Sequence, residues 1–467
     1  MKNIKILGIT LLLASCAVGP EYKKPEIKTT EQYQELGIKW QHAKPNADID
    51  RGEWWKIFDD PELDNLIAKL NVNNQDIAIA AANYRQALTL VGKARSAYFP
   101  TISASNSITS QKTNEESNST RANGKDTSSH SLGLSSSWEI DLWGSTRYTV
   151  ASNIAQAQAS KADLASQTLS AQSSLAQYYF ELRGVDKIQE LLDLSVEANR
   201  KILEYTKNNY KAGVMNESDV LNAENSFQNS KSSSYNNKIT RAQYQHAIAV
   251  LVGESPSSFK LNPVKNYRDK NINIPVSIPS ELLERRPDIA GAEELVKQAN
   301  AKVGIAETAF FPSLALNSSF TMSGYGLGPL TSMPNFVWAI GPQATLDIID
   351  FGARSAQKES AIASYEQTVA SYRQTVLTAF SEVEDQLVSL NNLTKQVIAL
   401  NKASQNSKKI LNLNSKQYQV GTVDNKQVLN SKISCYNAEI SAINTEILKR
   451  SSEISLIKAL GGGWKRT

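Results

Sequence analysis

Cysteine, histidine and long apolar runs are all scarce in this chain, and each scarcity closes off a class of function. Of 467 residues only two are cysteines, Cys16 and Cys435, so no disulfide framework can staple the fold. The three histidines, His42, His130 and His246, are scattered without metal-ligand spacing and are read as surface residues. No stretch is continuously apolar over the roughly 18 residues that a transmembrane helix requires. Charge of one sign is missing too: 50 basic against 46 acidic residues leave a net +4, and nothing here attracts nucleic acid. No Ser-His-Asp set, metal cluster or Gly-rich phosphate loop stands in motif spacing, so the chain is read as a non-enzyme with no cofactor. Proline is absent between Gly144 and Gly253 and again from Gly352 onward, which leaves two regions where helices can run uninterrupted. The composition, 41% hydrophobic and 21% charged, is ordinary globular material with length for two or three domains.

What is present starts at the N-terminus. Lys2 and Lys5 flank a short apolar run, Ile6 to Ala14, which has the form of a secretory signal. The run ends Leu12-Leu13-Ala14-Ser15-Cys16, which resembles the bacterial lipobox, where the cysteine becomes an acylated N-terminus. By the sorting rule for such lipoproteins, Ala17 after the cysteine implies outer-membrane delivery. A single lipid anchor seldom holds a protein without a second membrane signal.

The second signal comes from an internal repeat. Laid on the first half at one constant offset, the second half matches Trp143-Gly144 with Phe351-Gly352, Tyr210 and Gly213 with Tyr418 and Gly421, Val220-Leu221-Asn222 with Val428-Leu429-Asn430, and Val252-Gly253 with Leu460-Gly461. Tyr98-Phe99-Pro100 recurs as Phe310-Phe311-Pro312, slightly out of step. The offset is far above the roughly 20–50 residues of a solenoid unit, so a whole structural half is duplicated. Each half carries a helical stretch ending at the aromatic-Pro step, two short alternating segments, and two very long helical stretches joined at Tyr-x-x-Gly. Along the second half Tyr365, Val369, Tyr372, Val376, Ala379, Val383 and Leu387 recur at threes and fours, a heptad-like seam, and Ile433, Tyr436, Ile440, Ile443 and Ile447 continue it on the returning helix. From Gly144 to Gly213 a helix spans roughly 100 Å.

The short segments alternate with period two. Leu132, Leu134, Trp138, Ile140 and Leu142 alternate with Gly133, Ser135, Ser137, Glu139 and Asp141. Ile102, Ala104 and Ile108 alternate with serines; Leu314, Leu316, Phe320 and Met322 with Ala315, Asn317, Ser319 and Thr321; Phe336, Trp338, Ile340, Ala344, Leu346 and Ile348 form a fourth set, in which Pro342 predicts a bend. Each has about the length of a membrane strand. The polar Gln111–Ser129 and the Gly- and Pro-rich Ser323–Asn335 between them read as outer loops. Four strands cannot close a membrane barrel, whose smallest form has about eight. An open edge in lipid leaves backbone groups unpaired at several kcal/mol each, so several chains must pool strands.

These features together resemble the TolC-like outer-membrane factors, in particular the lipoprotein branch that serves RND-type drug pumps. The resemblance covers nearly the whole chain. It is carried by the lipobox at Cys16, Trp54-Trp55 with Asp60-Pro61-Glu62-Leu63, Leu283-Glu284-Arg285-Arg286-Pro287-Asp288-Ile289, the twice-used Tyr-x-x-Gly-x6-Val-Leu, and Leu460-Gly461-Gly462-Gly463-Trp464. The implied fold is mainly α with a membrane β-barrel: a homotrimer whose twelve-stranded barrel continues into a long periplasmic helical tube with a mixed belt. The implied role is the passive exit channel of a tripartite efflux pump, lipid-anchored in the outer membrane, with a periplasmic adaptor (membrane fusion) protein and an inner-membrane RND-type pump as partners. The exit duct of a type I protein-secretion system is the alternative; the Arg-Arg-Pro-Asp motif and the lipobox favour drug efflux. The expected organisation is a signal peptide (1–15), anchor, equatorial segment and first helices (16–100), first strand pair (101–143), first helical hairpin (144–253), linker (254–285), helix of the second repeat (286–312), second strand pair (313–350), second helical hairpin (351–460) and tail (461–467).

Several residues invite a functional reading and receive a structural one. Pro287 and Asp288 mark a helix start, Cys435 sits in a heptad stretch, and Trp54, Trp55 and Trp464 suit belt packing. Trp138, Trp143 and Trp338 suit aromatic girdles at the bilayer faces. The periplasmic gate and adaptor-docking tip are expected at the two Tyr-x-x-Gly turns. Gly213 and Gly421 stop one helix, and Asn216 and Asp424 cap the next with Asp219 and Gln427 three residues on, as in a capping box. The resemblance implies a constriction at the second tip, where well-studied members carry carboxylates at one or both of the positions of Gln427 and Asn430. Some members also lock the tip with an arginine at the position of Val423, paired to an acid matching Asp219. Here both amides are neutral, Val423 cannot form that lock, and Lys426 adds positive charge. A tip closed mainly by helix packing, with weak cation selectivity, is expected.

Overall fold

Caps and prolines decide where the helices begin. In this computed structural model, which describes residues 18–27, 52–113, 125–264, 272, 286–325 and 336–462, helix α1 (Pro61–Asn73) opens on a proline whose missing N–H would have had no partner. The carboxylate of Asp60 accepts from Glu62 N at 3.0 Å and Leu63 N at 3.2 Å. Helix α2 (Gln75–Ser96) follows, and the chain then runs through β1 (Thr101–Thr113), β2 (Lys125–Glu139), α3 (Ser145–Lys211), α4 (Glu217–Leu251), α5 (Pro287–Thr308), β3 (Ser313–Tyr325), β4 (Phe336–Thr345), α6 (Ala353–Gln419) and α7 (Asn425–Ala459). Helices α3 and α6 each hold 67 residues, and α4 and α7 each hold 35. At 1.5 Å per residue the longer pair runs for about 100 Å. The seam residues Tyr372, Val376, Ala379, Val383 and Leu387 are all buried, while most other positions of α6 are polar and wet.

The chain divides into two compact units. The first comprises residues 1–26, 83–160 and 292–372 and contains the sheet. Its four strands lie in the order β1-β2-β3-β4, each antiparallel to the next. The register keeps even residues opposite even ones: Ala104 faces Leu134, Leu134 faces Phe320, and Phe320 faces Trp338. Because side chains alternate, one face collects the apolar residues and the other collects Ser103, Ser105, Ser135, Ser319 and Asn317. Pairing runs unbroken through Pro342, opposite Leu316, so the bend expected at that proline is not needed.

The alternation overreaches at both strand ends. It runs on to Leu142 and Ile348, but β2 stops at Glu139 and β4 at Thr345. The chain leaves the ladder because its next carboxylates turn to the helices. Asp141 accepts from Thr146 N and Arg147 N, both at 3.0 Å, and Asp350 accepts from Gly352 N and Arg354 N at 3.0 and 3.2 Å.

The second unit comprises residues 27–82, 161–291 and 373–467. Its main core gathers Trp54, Trp55 and Phe58 with Leu63, Ile67 and Leu70 of α1, Leu175, Tyr179 and Phe180 of α3, Ile248 of α4, and Ile454 of α7. Trp54 Nε1 donates to Gln172 Oε1 at 3.2 Å, and the Gln172 amide donates on to Asn71 at 2.9 Å. Truncating one such aromatic costs about 3–5 kcal/mol. The packing role expected for Trp54 and Trp55 is therefore what their burial displays. Phe259 and Leu261, in the segment expected as a linker, are buried in the same core. Cys16 and Trp464, with Leu283, Glu284, Arg285 and most of both strand-connecting loops, lie outside the described residues.

Candidate functional site

Each long helical hairpin turns at a Tyr-x-x-Gly, and backbone bonding explains why. At the first turn Gly213 N donates to Tyr210 O at 3.0 Å and Val214 N reaches back to Asn209 O at 2.9 Å. At the second, Gly421 N donates to Tyr418 O at 3.0 Å and Thr422 N to Gln417 O at 2.9 Å. This 6→1 closure needs a left-handed residue, and Gly213 and Gly421 supply φ of 75° and 78°, a conformation that is strained for a residue with a side chain.

The restarting helices differ. Asn216 Oδ1 accepts from Asp219 N at 2.9 Å while Asp219 Oδ2 accepts from Asn216 N at 3.2 Å, a complete capping box. Asp424 Oδ1 accepts from Gln427 N at 2.8 Å, and only that forward bond is formed. The reciprocal bond expected of Gln427 is not made among the described residues: its neutral amide has a weaker pull on the cap N–H than the Asp219 carboxylate exerts in the first turn. Asp424 instead turns its other oxygen toward Tyr205 Oη, at 3.5 Å, a partner that motif spacing alone did not point to.

Behind the turns the hairpins share a small apolar cluster. Ala198, Ile202 and Leu203 of α3, Ala223 of α4 and Leu429 of α7 are buried together, with Val220, Phe227 and Ile433 packed against them. Val220 and Leu429 belong to the two copies of the repeated Val-Leu step. Outside this cluster the tips are open. Val214 is 72% exposed and Val420 74%, Tyr210 and Tyr418 are exposed, and so are Gln427 and Asn430; Val423 and Lys426 are half-buried.

The Arg-Arg-Pro-Asp stretch resolves as a clamp. Pro287 is the first residue of α5, and Arg286, buried, donates to Asp288 Oδ2 and Glu382 Oε2 at 2.7 Å each and to the Ala459 carbonyl at 2.8 Å. This ties the start of α5 to α6 and to the last turn of α7. A second buried arginine carries no motif and was not foreseen. Arg183 lies in the middle of α3, 1% exposed, hydrogen-bonded to the Asn262 carbonyl at 2.8 Å, ion-paired with Glu62 and with Asp186 at 3.5 Å, and stacked over the Tyr179 ring. Tyr179 Oη donates to Asp60 at 2.7 Å, so the cap of α1 hangs on the same cluster.

Other sequence readings find their places. Cys435 is buried beside Glu439, and burial holds its thiol above the ordinary range, which suits a core residue. Trp143 does not project freely: its ring stacks on Phe311 at 4.8 Å and its Nε1 donates to the Pro312 carbonyl at 2.8 Å. Trp138 donates to the Tyr98 carbonyl at 3.1 Å, and Trp338 is 72% exposed. His130 is half-buried and His246 exposed, so the surface reading fits the second histidine better than the first. Among the described residues no group of three metal-ligating side chains is found, and no helix is long and apolar enough to cross a membrane.

The chain is 29% identical, over 99% of its length and 96% of the other's, to a probable efflux pump outer membrane protein, TtgC, of Pseudomonas putida. It is 28% identical, over 100% and 98%, to the pyoverdine export outer membrane protein OpmQ of Pseudomonas aeruginosa. Its fold is similar to the outer-membrane channel OprN (26% identity, TM-score 0.82, 96% of this chain and 100% of that one). It is equally similar to the open state of the Neisseria gonorrhoeae MtrE outer membrane channel (28% identity, TM-score 0.81, 96% and 98%). The model of the outer membrane efflux protein family matches residues 66–254 and 278–462, most of the chain, and the protein therefore belongs to that family.

Proposed function

We propose that this protein is the outer-membrane exit channel of a tripartite efflux pump, passing drugs or other small molecules outward without chemistry of its own. One observation carries the reading: a four-stranded sheet with an apolar and a polar face, whose strands β1 and β4 have no neighbour on their outer edges among the described residues. Such edges are untenable in lipid, and three copies supply a closed twelve-stranded barrel with the polar face inward. The equal helix lengths of the two halves support duplication of a strand-pair-and-hairpin unit, and the long proline-free helices, α6 with many exposed positions, suit a periplasmic tube. The organisation into segments given above is kept, with acylated Cys16 as the anchor.

The paired turns are the gate and the docking tip. Tyr210, Gly213, Asn216 and Asp219 form the first, and Tyr418, Gly421, Val423, Asp424, Lys426, Gln427 and Asn430 the second. Exposed Val214 and Val420 beside capped helix ends suit a helical partner, the periplasmic adaptor, which links the channel to an inner-membrane RND-type pump. The relatives' names, efflux of antibiotics or solvents and export of pyoverdine, support small molecules as cargo.

Drug sensitivity tests the role directly. Deleting the gene should sensitise cells to the substrates of one inner-membrane pump, and deleting that pump as well should add nothing. Light scattering of the detergent-extracted protein should give three chains per particle. A folded monomeric pore, or a deletion without effect in any pump background, removes the proposal.

A further inference from the structure

Residues 18–24 form neither helix nor strand, yet they are laid in register along α5. Lys24 Nζ pairs with Glu293 at 3.0 Å, and Lys297 Nζ lies over the Tyr22 ring at 5.7 Å. Asn300 Nδ2 donates to the Pro20 carbonyl at 3.1 Å, and Gly19 lies against Gly304. Glu293, Lys297, Asn300 and Gly304 recur at fours and threes, so they form one stripe of the helix. The lengths agree: from Glu293 to Gly304 a helix advances about 16 Å, and from Lys24 to Gly19 an extended chain advances about 17 Å. At the last step there is no room for side chains. A Cβ on Gly19 would stand 2.6 Å from Gly304 Cα and 2.8 Å from Tyr148 Cζ, and one on Gly304 would stand 2.8 Å from the same ring. Beyond it Val18 N donates to the Trp143 carbonyl at 3.4 Å, at the end of the first strand pair.

The internal repeat offers a comparison. Helix α2 precedes α5 by 212 residues, the spacing of Pro100 and Pro312, so Ala81, Arg85, Leu88 and Gly92 occupy the equivalent stripe. That stripe has no acid for Lys24 and no amide for Pro20, and Ala356 stands where the first half has Tyr148. Among the described residues it is open: Leu88 is 46% exposed, and nothing lies within 4 Å of a Cβ added to Gly92. The side chains of α5, and not a helix face of this kind in general, select the segment.

Trp143 also walls a hollow of about 310 Å³ at the foot of the sheet. One side of it is apolar, with Leu142, Phe311 and Leu314; the other carries Glu139 and Asp347. Cys16 lies outside the described residues, two positions ahead of Val18, which an extended chain covers in about 7 Å. We infer that the lipid of Cys16 is seated in this hollow and that residues 18–24 are the strap that holds it there through α5. This rests on the acylated Cys16 proposed above. The glyceryl esters face the polar side, and the hydrocarbon lies on the apolar side, which continues the apolar face of β2 and β3. One lipid chain by itself binds a membrane only marginally. A strap docked in register sets that chain at the level of the sheet, so the two membrane contacts act together.

Cells fed a fatty acid bearing a photoreactive diazirine test the seat with the full-length protein in its own membrane. Illumination should join the N-terminal lipopeptide to the peptides carrying Trp143 or Phe311, as read by mass spectrometry. Trypsin on the native protein tests the strap. Cutting after Lys23 requires the segment to lift from α5, so its rate, taken relative to the matching free peptide, follows the open population. Gly304→Leu should raise that rate at least about fivefold and lower the cross-link by a similar factor. Glu293→Lys should raise it about two- to fivefold, and adding Lys24→Glu should restore protection. Acylated protein whose lipopeptide joins other parts of the sheet, or whose cross-link is unchanged by Gly304→Leu, overturns the seat and leaves the anchor and the channel standing. A chain without acyl mass on Cys16 overturns anchor and seat together. If Gly304→Leu does not fold, the charge swap decides alone, and failure of Lys24→Glu to rescue Glu293→Lys overturns the strap.

Discussion

Replacing Gln427 by Glu adds charge to the tip while completing a cap, so its effect on conduction can be separated from its effect on folding. Around the two turns the charges cancel: Lys211, Lys416 and Lys426 balance Glu217, Asp219 and Asp424. A neutral ring gives little preference for either ion, and the wild-type reversal potential in a KCl gradient should lie near zero. The glutamate would sit three residues after Asp424, whose carboxylate already accepts from that backbone N–H, and would offer the missing return bond. Near a helix N-terminus it should stabilise by about 0.3–1 kcal/mol. In the proposed trimer three such carboxylates, each about 10 Å from an ion on the axis, contribute about 1.2 kcal/mol in water. Screening over a Debye length of about 10 Å at 0.1 M salt lowers this to about 0.4 kcal/mol, roughly a twofold cation enrichment. The same potential depletes anions about twofold, so the selectivity ratio is about four and under a tenfold gradient the reversal potential should move by about 27 mV toward the cation limit of about 59 mV. Single trimers in a planar bilayer give the potential, and a thermal melt gives the cap. A wild-type channel already close to the cation limit would refute the neutral-tip reasoning. Loss of that selectivity on neutralising Asp219 or Asp424 would then locate the acidic ring elsewhere. A less stable Gln427→Glu protein would refute the cap.

Arg183→Met should destabilise by about 2–4 kcal/mol in denaturant titrations, below the full cost of breaking a buried pair, because Asp186 keeps Arg241 at 2.5 Å and Glu62 is half-exposed. A loss below about 1 kcal/mol would show that the Asn262 carbonyl and Tyr179 ring do not depend on it. Glu181 is held above the ordinary carboxylate range by burial, despite hydrogen bonds from Tyr244 and Ser451. The folded state therefore binds its proton more tightly than the unfolded chain, and the stability this gives is present at low pH and lost as pH rises through the folded value. Glu181→Gln should match the wild type in acid and melt at a higher temperature at neutral pH; a constant difference at all pH values would contradict the burial argument. Intact-mass spectrometry of the purified protein should give a chain starting at Cys16 with added acyl mass. A different start, or no added mass, removes the lipid anchor.

The parts legible from the amino-acid order are those governed by near neighbours. Helix starts at Asp60-Pro61 and Pro287, the stops at Gly213 and Gly421, the caps at Asn216 and Asp424, and the even-odd pattern of four strands all depend on residues within a few positions of one another. The repeat extends this reach, because a matched offset reports that two distant segments face equivalent surroundings. Tertiary structure alone decided what meets across the chain. Nothing local announces that Arg183 ends beside Glu62 and Asn262, that Arg286 holds the last carbonyls of α7, or that Trp143 lies on Phe311 instead of facing out as a girdle ring. It also decided where the strands end, since Asp141 and Asp350 are drawn from the ladder by helix N–H groups that alternation cannot register. The physical reason is common to all of these: hydrophobic periodicity fixes which face of an element is buried, but a buried arginine or aromatic ring takes its partner from whichever distant segment packing brings within hydrogen-bonding or stacking distance.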